Sequence, residues 1–245
     1  MQNILSFSKV SFSYEKDNSI FEQLSFSISS GEKVGLVGAN GVGKSTLLKL
    51  LVGLEFATEG TILVNDIVVT PKTLPQIRKH LGYVFQDANN QLFSSTVYED
   101  VAFGPKNYGF SKDEVKKKVS KALSLVHMEA FADRPIYKLS GGEKKLASIA
   151  SVLSMEPDFL IMDEPSIALD PKNRRNLITI LNSLSMTKLI ASHDLDFILD
   201  TCDRCILLSR NGIAADGKTY DILSQKDLLE AHNLELPLSY QYRTK

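Results

Sequence analysis

Residues Gly38 to Ser45 read GANGVGKS and fit G-x-x-x-x-G-K-[ST] without a mismatch. The apolar run Val34 to Val37 precedes them and a helix-patterned stretch, Leu47 to Val52, follows, so the order is strand, tight loop, helix. In that setting the backbone N–H groups from Asn40 to Thr46 can point at phosphate oxygens, and the glycines remove Cβ atoms that would block the approach. Gly38, Ala39, Asn40, Gly41, Val42, Gly43 and Thr46 are therefore read as the lining of a nucleotide phosphate site. Lys44 is expected to reach the β- and γ-phosphates, and the Ser45 hydroxyl to coordinate Mg2+. A second reactive pair closes LIMDE, Leu160 to Glu164. Strand ends are where acids meet ligands in open α/β sheets. Asp163 is assigned to the Mg2+ shell, and Glu164 to polarising the attacking water as general base. A DE pair at a strand end is otherwise an ordinary loop start, and here it takes its meaning from the phosphate loop.

The rest of the chain has to position these groups. Period-two alternation at Ile4 to Phe12 and at Leu24, Phe26 and Ile28 predicts strands with one buried face, read as an antiparallel edge layer. Thr61 to Asp66 and Gly82 to Gln86 add two strand candidates. From Asp87 to Glu156 the texture turns helical. Ser111 with Glu114 makes a capping box ahead of Val115, Val119, Ala122 and Val126, and Leu146, Ile149, Ala150 and Leu153 mark a second helix after Gly141-Gly142. Strands return at Phe159 to Pro165, Lys188 to Asp194 and CILLSRNGIAADG, whose Asn211-Gly212 reads as a hairpin turn, with helices at Pro171 to Leu184 and Asp194 to Thr201 between them. Alternating strands and helices imply a mostly parallel sheet covered on both faces, with the central helical segment inserted.

Composition narrows the classes. The chain has 245 residues, 43% hydrophobic, enough for one substantial core. Its 28 Lys plus Arg nearly cancel 29 Asp plus Glu, so no large basic field is present for non-specific binding, and nucleic acid is not expected as a partner. Apolar runs such as Phe159 to Met162 fall far short of the roughly 20 residues of a spanning helix. No positive cluster precedes an apolar stretch at the N-terminus, so no secretory signal is read and an intracellular location is expected. Cys202 and Cys205 form a C-x-x-C without a second cysteine pair or a nearby histidine, and are read as core residues.

LSGGEKK, Leu139 to Lys145, places Ser140, Gly141 and Gly142 at a helix start, where a hydroxyl and a partial positive charge suit an anion. With this stretch lying ahead of the acidic strand, the sequence resembles the ATP-binding cassette family over nearly its whole length. The resemblance implies an α/β fold, a P-loop NTPase (RecA-like) core with an antiparallel β edge layer and an inserted α-helical subdomain. The organisation expected is a nucleotide-binding domain over 1–225, its core at 1–86 and 157–225 and the helical subdomain at 87–156, followed by a short helical tail at 226–245. The resemblance further implies ATP and Mg2+ as ligands. It implies that Ser140, Gly141 and Gly142 cap the γ-phosphate of ATP held by a second cassette subunit. Gln86 matches the glutamine that senses Mg2+, and His193 the histidine that contacts the γ-phosphate and orients the catalytic water. Asp170, in SIALD, matches an acid of the dimer interface, and Tyr14 is placed to stack on adenine. Leu146 departs from the pattern, since many relatives carry Arg there, and Ile167 stands where smaller residues are common.

Within the family the sequence looks most like the ATPases of energy-coupling-factor importers of vitamins or transition-metal ions. The residues that carry this are GYVFQDANNQLFSSTVYEDVAFGPKNYG, Gly82 to Gly109, and the C-terminal NLELPL. This likeness implies a transmembrane scaffold whose coupling helices dock after Gln86, a membrane substrate-binding subunit, and a peripheral position on the cytoplasmic membrane face. Leu92, Phe93, Val97, Val101 and Phe103 are candidates for apolar contacts with the scaffold, and Asp87, Glu99 and Asp100 for charged ones. An exporter, another importer type, a soluble cassette protein and a small-molecule P-loop kinase remain as alternatives.

Overall fold

A computed structural model of the chain describes residues 2–15, 18–210 and 212–241. The alternating N-terminal segments form β1 (Asn3–Glu15) and β2 (Asn18–Ser29), an antiparallel pair with Phe7 opposite Phe26. β3 (Lys33–Val37) follows and feeds the glycine-rich loop into α1 (Lys44–Leu51). β4 (Glu59–Val64) and β5 (Ile67–Val68) complete a four-stranded sheet in the order β2-β1-β4-β5. The strand expected to reach Asp66 stops at Val64, because Asn65 and Asp66 take positive φ values of 48° and 62° to make the turn.

The short α2 (Leu74–Ile77) leads to β6 (Leu81–Val84), and α3 (Val97–Asn107), α4 (Lys112–Leu125) and α5 (Gly141–Leu153) then precede β7 (Phe159–Asp163). After β7 come α6 (Pro171–Ser183), β8 (Thr187–Ala191), α7 (Leu195–Thr201), β9 (Arg204–Ser209) and β10 (Gly212–Lys218), and the chain continues through α8 (Thr219–Leu223), α9 (Lys226–Ala231) and α10 (Leu238–Gln241). The second sheet has the order β10-β9-β3-β8-β7-β6, parallel from β9 to β6 and antiparallel at β10. All five residues of β7 and of β8 are buried, as a strand covered on both faces requires. Asn211 lies outside the described residues, while β9 and β10 pair as a hairpin with Gly212 opposite Ser209.

Two apolar clusters flank the parallel sheet. One fills the space between it, α1 and the antiparallel sheet, with Phe21, Leu36, Leu48 and Phe159 at its centre. The other runs from the opposite face of the sheet, Val84, Leu160 and Met162, into α3, α4 and α5. Helix α5 lies directly on β6: a Cβ at Gly82 would sit 2.3 Å from Val152 Cγ1. The cap pairs Ser111 with Glu114, Ser140 with Glu143 and Thr96 with Glu99 are complete capping boxes, each cap worth about 1 kcal/mol. Lys188 is fully buried on β8, where its ammonium donates to the carbonyls of Leu181 (2.7 Å) and Leu184 and so satisfies the C-terminal end of α6. Both cysteines are buried, and burial pushes their thiols up, Cys202 to about 12.

Candidate active site

Because β3, β6, β7 and β8 are parallel, their carboxyl ends share one edge of the sheet, with Leu36 paired to Ala191 and Ala191 to Asp163. The loop after β3, the acids ending β7, the Ser192-His193 pair after β8 and the loop after β6 therefore converge. Gln86 is in that last loop, two residues beyond β6 rather than at the strand end expected of it.

In the glycine-rich loop, Gly43 is the N-cap of α1 at φ 104°. A Cβ there would lie 2.8 Å from Phe21 Cζ and 2.9 Å from Ile20 Cγ2, so both backbone angle and space demand glycine. Val42 packs into the core below. Lys44 is 7% exposed, and its Nζ donates to the carbonyls of Gly38 (2.7 Å) and Ala39 (3.3 Å). Burial lowers its pKa, opposed by the charges of Glu164 and Asp163. Tyr14 stands beside the start of α1: its hydroxyl is 3.3 Å from Thr46 Oγ1, and the ring is half exposed and edge-on to Phe12.

Asp163 is buried and its pKa is raised, chiefly by burial, against the opposing influence of the neighbouring Ser45 hydroxyl and Lys44 charge. The Tyr83 phenol, its own pKa raised by burial and by the Asp163 charge, is a neighbour of Asp163 and lines the same cavity. Asp163 Oδ1 has no hydrogen-bond partner. A buried, unpartnered carboxylate oxygen beside a serine hydroxyl is a donor set that fits a hard cation such as Mg2+, which takes only one or two carboxylates and leaves room for phosphate oxygens. Gln86 lines the same cavity of about 640 Å³ as Ser45 and Asp163.

Glu164 is 7% exposed, and its Oε2 accepts three hydrogen bonds: from His193 Nδ1 (2.8 Å), the His193 backbone N–H (3.2 Å) and the Ser192 hydroxyl (3.2 Å). Its backbone is left-handed at φ 45°, a conformation costing a non-glycine residue on the order of 1 kcal/mol, and is held there by its N–H bond to the Ala191 carbonyl (2.8 Å). The residue after His193 is pinned too. Asp194 caps α7 by accepting from Phe197 N, and Arg174 grips it through two bonds of 2.8 and 3.1 Å. Glu164 and His193 thus form a fixed acid-imidazole pair, suited to holding a water and taking its proton.

Of the Ser-Gly-Gly corner, Gly141 lines the cavity with Ser45, but Ser140 and Gly142 do not. Ser140 is exposed and caps α5, accepting from Glu143 N at 3.3 Å. Gly142 is closed against α6, where a Cβ would come 2.5 Å from Asn173 Nδ2, and Asp170 caps α6 through Lys172 N and Asn173 N. Sequence reasoning did not single out Tyr83, Ser192, Arg174 or Lys145. Ser192 adjoins His193 and was open to discovery from that; the others reach the site only through tertiary folding.

The ABC transporter family model matches residues 21–167 of this chain, a span that holds the phosphate loop, the Ser-Gly-Gly corner and both acids. The chain belongs to the ABC transporter family. A Geobacter sulfurreducens protein provisionally named as an ABC transporter ATP-binding protein is 47% identical over 89% of this chain and 88% of its own length. The energy-coupling factor transporter ATP-binding protein EcfA of Carboxydothermus hydrogenoformans is 40% identical over 94% of this chain and 86% of its own. Among solved structures, cbiO1 from Clostridium perfringens, described as part of the ABC transporter complex cbiONQ, aligns over the whole of both chains with a TM-score of 0.87 and 33% identity. These likenesses agree with the P-loop α/β fold expected from the sequence and identify an ATPase-type subunit of an ABC transporter. No helix among the described residues is long and apolar enough to cross a membrane.

In this ABC chain the segment expected to meet a membrane partner is largely turned inward. Leu92, Val97 and Val101 are buried in the cluster around α3, since Val97 and Val101 fall on its inner face. Asp100 is 3% exposed and accepts from Phe93 N (2.9 Å) and Ser94 N (2.8 Å), so its charge is spent on the chain's own backbone. Asp87 caps the turn at Asn89 and Glu99 belongs to a capping box. Phe93 and Phe103 stay exposed, at 65% and 45%, and meet edge-to-face at 4.7 Å. The two departures are accommodated: Leu146 packs into the core, and Ile167 lines both the Ser45 cavity and a second one beside His193.

That second cavity is walled by Leu236, Pro237 and Leu238 of the C-terminal segment. Asp196 of α7 holds the segment by accepting from Leu238 N (2.8 Å) and Ser239 N (3.1 Å). Losing such a cap costs about 1 kcal/mol, so Asp196→Ala is expected to raise the open fraction of residues 234–241 roughly 5-fold. Limited proteolysis should register this as faster trimming of the tail with the thermal midpoint nearly unchanged, and unaltered trimming would remove Asp196 as the tether.

Proposed function

We propose that this chain is the ATP-binding and ATP-hydrolysing subunit that energises a membrane importer of the energy-coupling-factor type, for vitamin or transition-metal ion uptake. The hydrolytic part of the reading rests on the convergence of Lys44, Ser45, Asp163, Glu164 and His193 on one sheet edge around an unpartnered Asp163 oxygen. The importer type draws support from the likeness to EcfA and to cbiO1, over nearly all of this chain in each case. A bacterial Atm1-family ABC exporter with ATP bound is less similar, at 28% identity.

In this reading the loop Gly38 to Thr46 wraps the phosphates and the Tyr14 ring stacks on adenine, a contact worth about 1–3 kcal/mol if it resembles base stacking elsewhere. The Lys44 ammonium turns from the loop carbonyls to the β- and γ-phosphates. Ser45, Asp163 and Gln86 would hold Mg2+, which neutralises phosphate charge when bound. Glu164 takes the proton of the attacking water, and His193, aligned by its bond to Glu164, positions that water. The Ser140, Gly141 and Gly142 corner of a second cassette subunit, identical or related, covers the γ-phosphate. Residues 1–86 and 157–225 serve as the catalytic core, 87–156 as the helical subdomain facing the membrane part, and 226–245 as a tail. The subunit sits peripherally on the cytoplasmic membrane face, bound to a transmembrane scaffold beside a substrate-binding membrane protein.

Purification of the detergent-solubilised complex tests the importer type: one transmembrane scaffold with interchangeable substrate-binding proteins is expected, and recovery with a fused or exporter-type membrane domain overturns it. The exposed aromatic pair is the expected contact. Replacing Phe93 and Phe103 together by Ala should weaken scaffold binding on the order of 10- to 100-fold, as loss of two aromatic anchors does, while ATP binding stays within about twofold. Unchanged scaffold binding would move the contact elsewhere.

A further inference from the structure

Lys145 is 3% exposed in the first turns of α5, and its Nζ donates to two backbone carbonyls, Gln86 at 2.7 Å and Phe85 at 3.0 Å. A buried ammonium is costly unless its hydrogen bonds are made, so its presence calls for a purpose. The two carbonyls lie just past β6, the edge strand of the second sheet, whose ladder with β7 ends at Val84. Strand pairing therefore does not hold this loop.

A second connection secures the N–H of the same residue, Phe85. Phe85 N donates to Gln91 Oε1 (3.1 Å), and Gln91 Nε2 donates to the Ser148 carbonyl (2.6 Å) and the Ser151 hydroxyl (3.0 Å) of α5. Lys144 adds a third link, from its Nζ to Asn89 Oδ1 at 2.8 Å. The loop from Phe85 to Gln91 is thus fastened to the helix that begins at the Ser-Gly-Gly corner, at both the N–H and the carbonyl of Phe85. Gln86 itself makes its backbone contact to Lys145 and lines the cavity that holds Ser45 and Asp163.

We propose that Lys145, with Gln91, is a positioning residue that locks the Gln86 loop to the start of α5, so that the Gln86 side chain and the Ser-Gly-Gly corner move as one body. The assignment deepens the hydrolytic reading above and rests on it. Its consequence is that presentation of Gln86 to one nucleotide and of the corner to the other are set by one rigid piece of chain. Lys145 acts through Gln86 and not on the substrate.

The test compares the full chain with K145M, which keeps the stem and removes the donors, and K145R, which keeps charged donors. In nucleotide-free protein, hydrogen exchange across residues 84–91 is expected to quicken at least about 10-fold in K145M and to stay within about threefold of the unchanged chain in K145R. With ATP, K145M should lose about 10-fold in kcat and need several-fold more Mg2+ for half-saturation, while ATP affinity stays within about twofold; K145R should recover most of the rate. Wild-type exchange in K145M, or a K145R as impaired as K145M, overturns the proposal, the second because packing and not hydrogen bonding would then be the cause. Should K145M fail to fold, Q91A carries the same exchange prediction, and unaltered exchange in Q91A overturns it equally. An unchanged chain that hydrolyses no ATP in its assembled complex would defeat the functional reading, while the exchange result would still decide the clamp.

Discussion

Glu164→Gln is expected to bind ATP within about twofold of the unchanged chain and to turn it over at least about 100-fold more slowly, the usual scale for loss of a general base. The geometry explains the split. Ser192 and both donors of His193 converge on Glu164 Oε2, and a glutamine oxygen can accept all three in place. The amide nitrogen then stands where the second carboxylate oxygen was, and it cannot take a proton from water. The phosphate loop, on a different strand end, is untouched. Phosphate release measured beside equilibrium nucleotide binding checks both halves, and turnover within about tenfold of the unchanged chain would remove Glu164 as the base.

Lys44→Ala should weaken ATP binding on the order of 100-fold, the cost of removing one partner of a desolvated charge pair. The ammonium is nearly buried at the foot of the loop, where it donates to the Gly38 and Ala39 carbonyls. Stability should respond far less. Truncation relieves the burial that depresses the Lys44 pKa, but it also strips the Gly38 and Ala39 carbonyls of their donor, and the two changes oppose one another. A thermal midpoint within about 3 °C of the unchanged chain, which corresponds to about 1 kcal/mol at this size, is expected without nucleotide. Lost affinity with a midpoint that collapses would mean Lys44 holds the fold, and retained affinity would mean it does not hold phosphate.

Much of the candidate site was legible because its groups are encoded locally. GANGVGKS carries its phosphate chemistry in eight consecutive residues, and the acids of LIMDE close a short apolar run that is read as a buried strand and takes its meaning from that loop. Helix starts were equally local: Ser111 and Glu114 cap α4 as their spacing predicts. Bounds read from alternation were less secure. Gln86 looked like a strand end, yet β6 stops at Val84, because Phe85 donates its N–H to Gln91 and accepts at its carbonyl from Lys145, the second of these partners far along the chain. The apolar residues after Gln86 show the same limit. Phe93 and Val97 are both hydrophobic, and only the packing of α3 decides that one is exposed and the other buried.

By itself the amino-acid order determined the types of group, their sequence along the chain, the alternation that makes a parallel sheet and hence the family. What it left to tertiary structure is which groups face one another: Glu164 with His193 and Ser192, Arg174 with Asp194, Lys145 with the carbonyls of Phe85 and Gln86. The reason is physical. Phosphate loops and helix caps are satisfied within a few residues, but a buried charge or a strained acid is stable only where distant segments supply its partners, and those appear only once the sheet edge and its helices have been assembled.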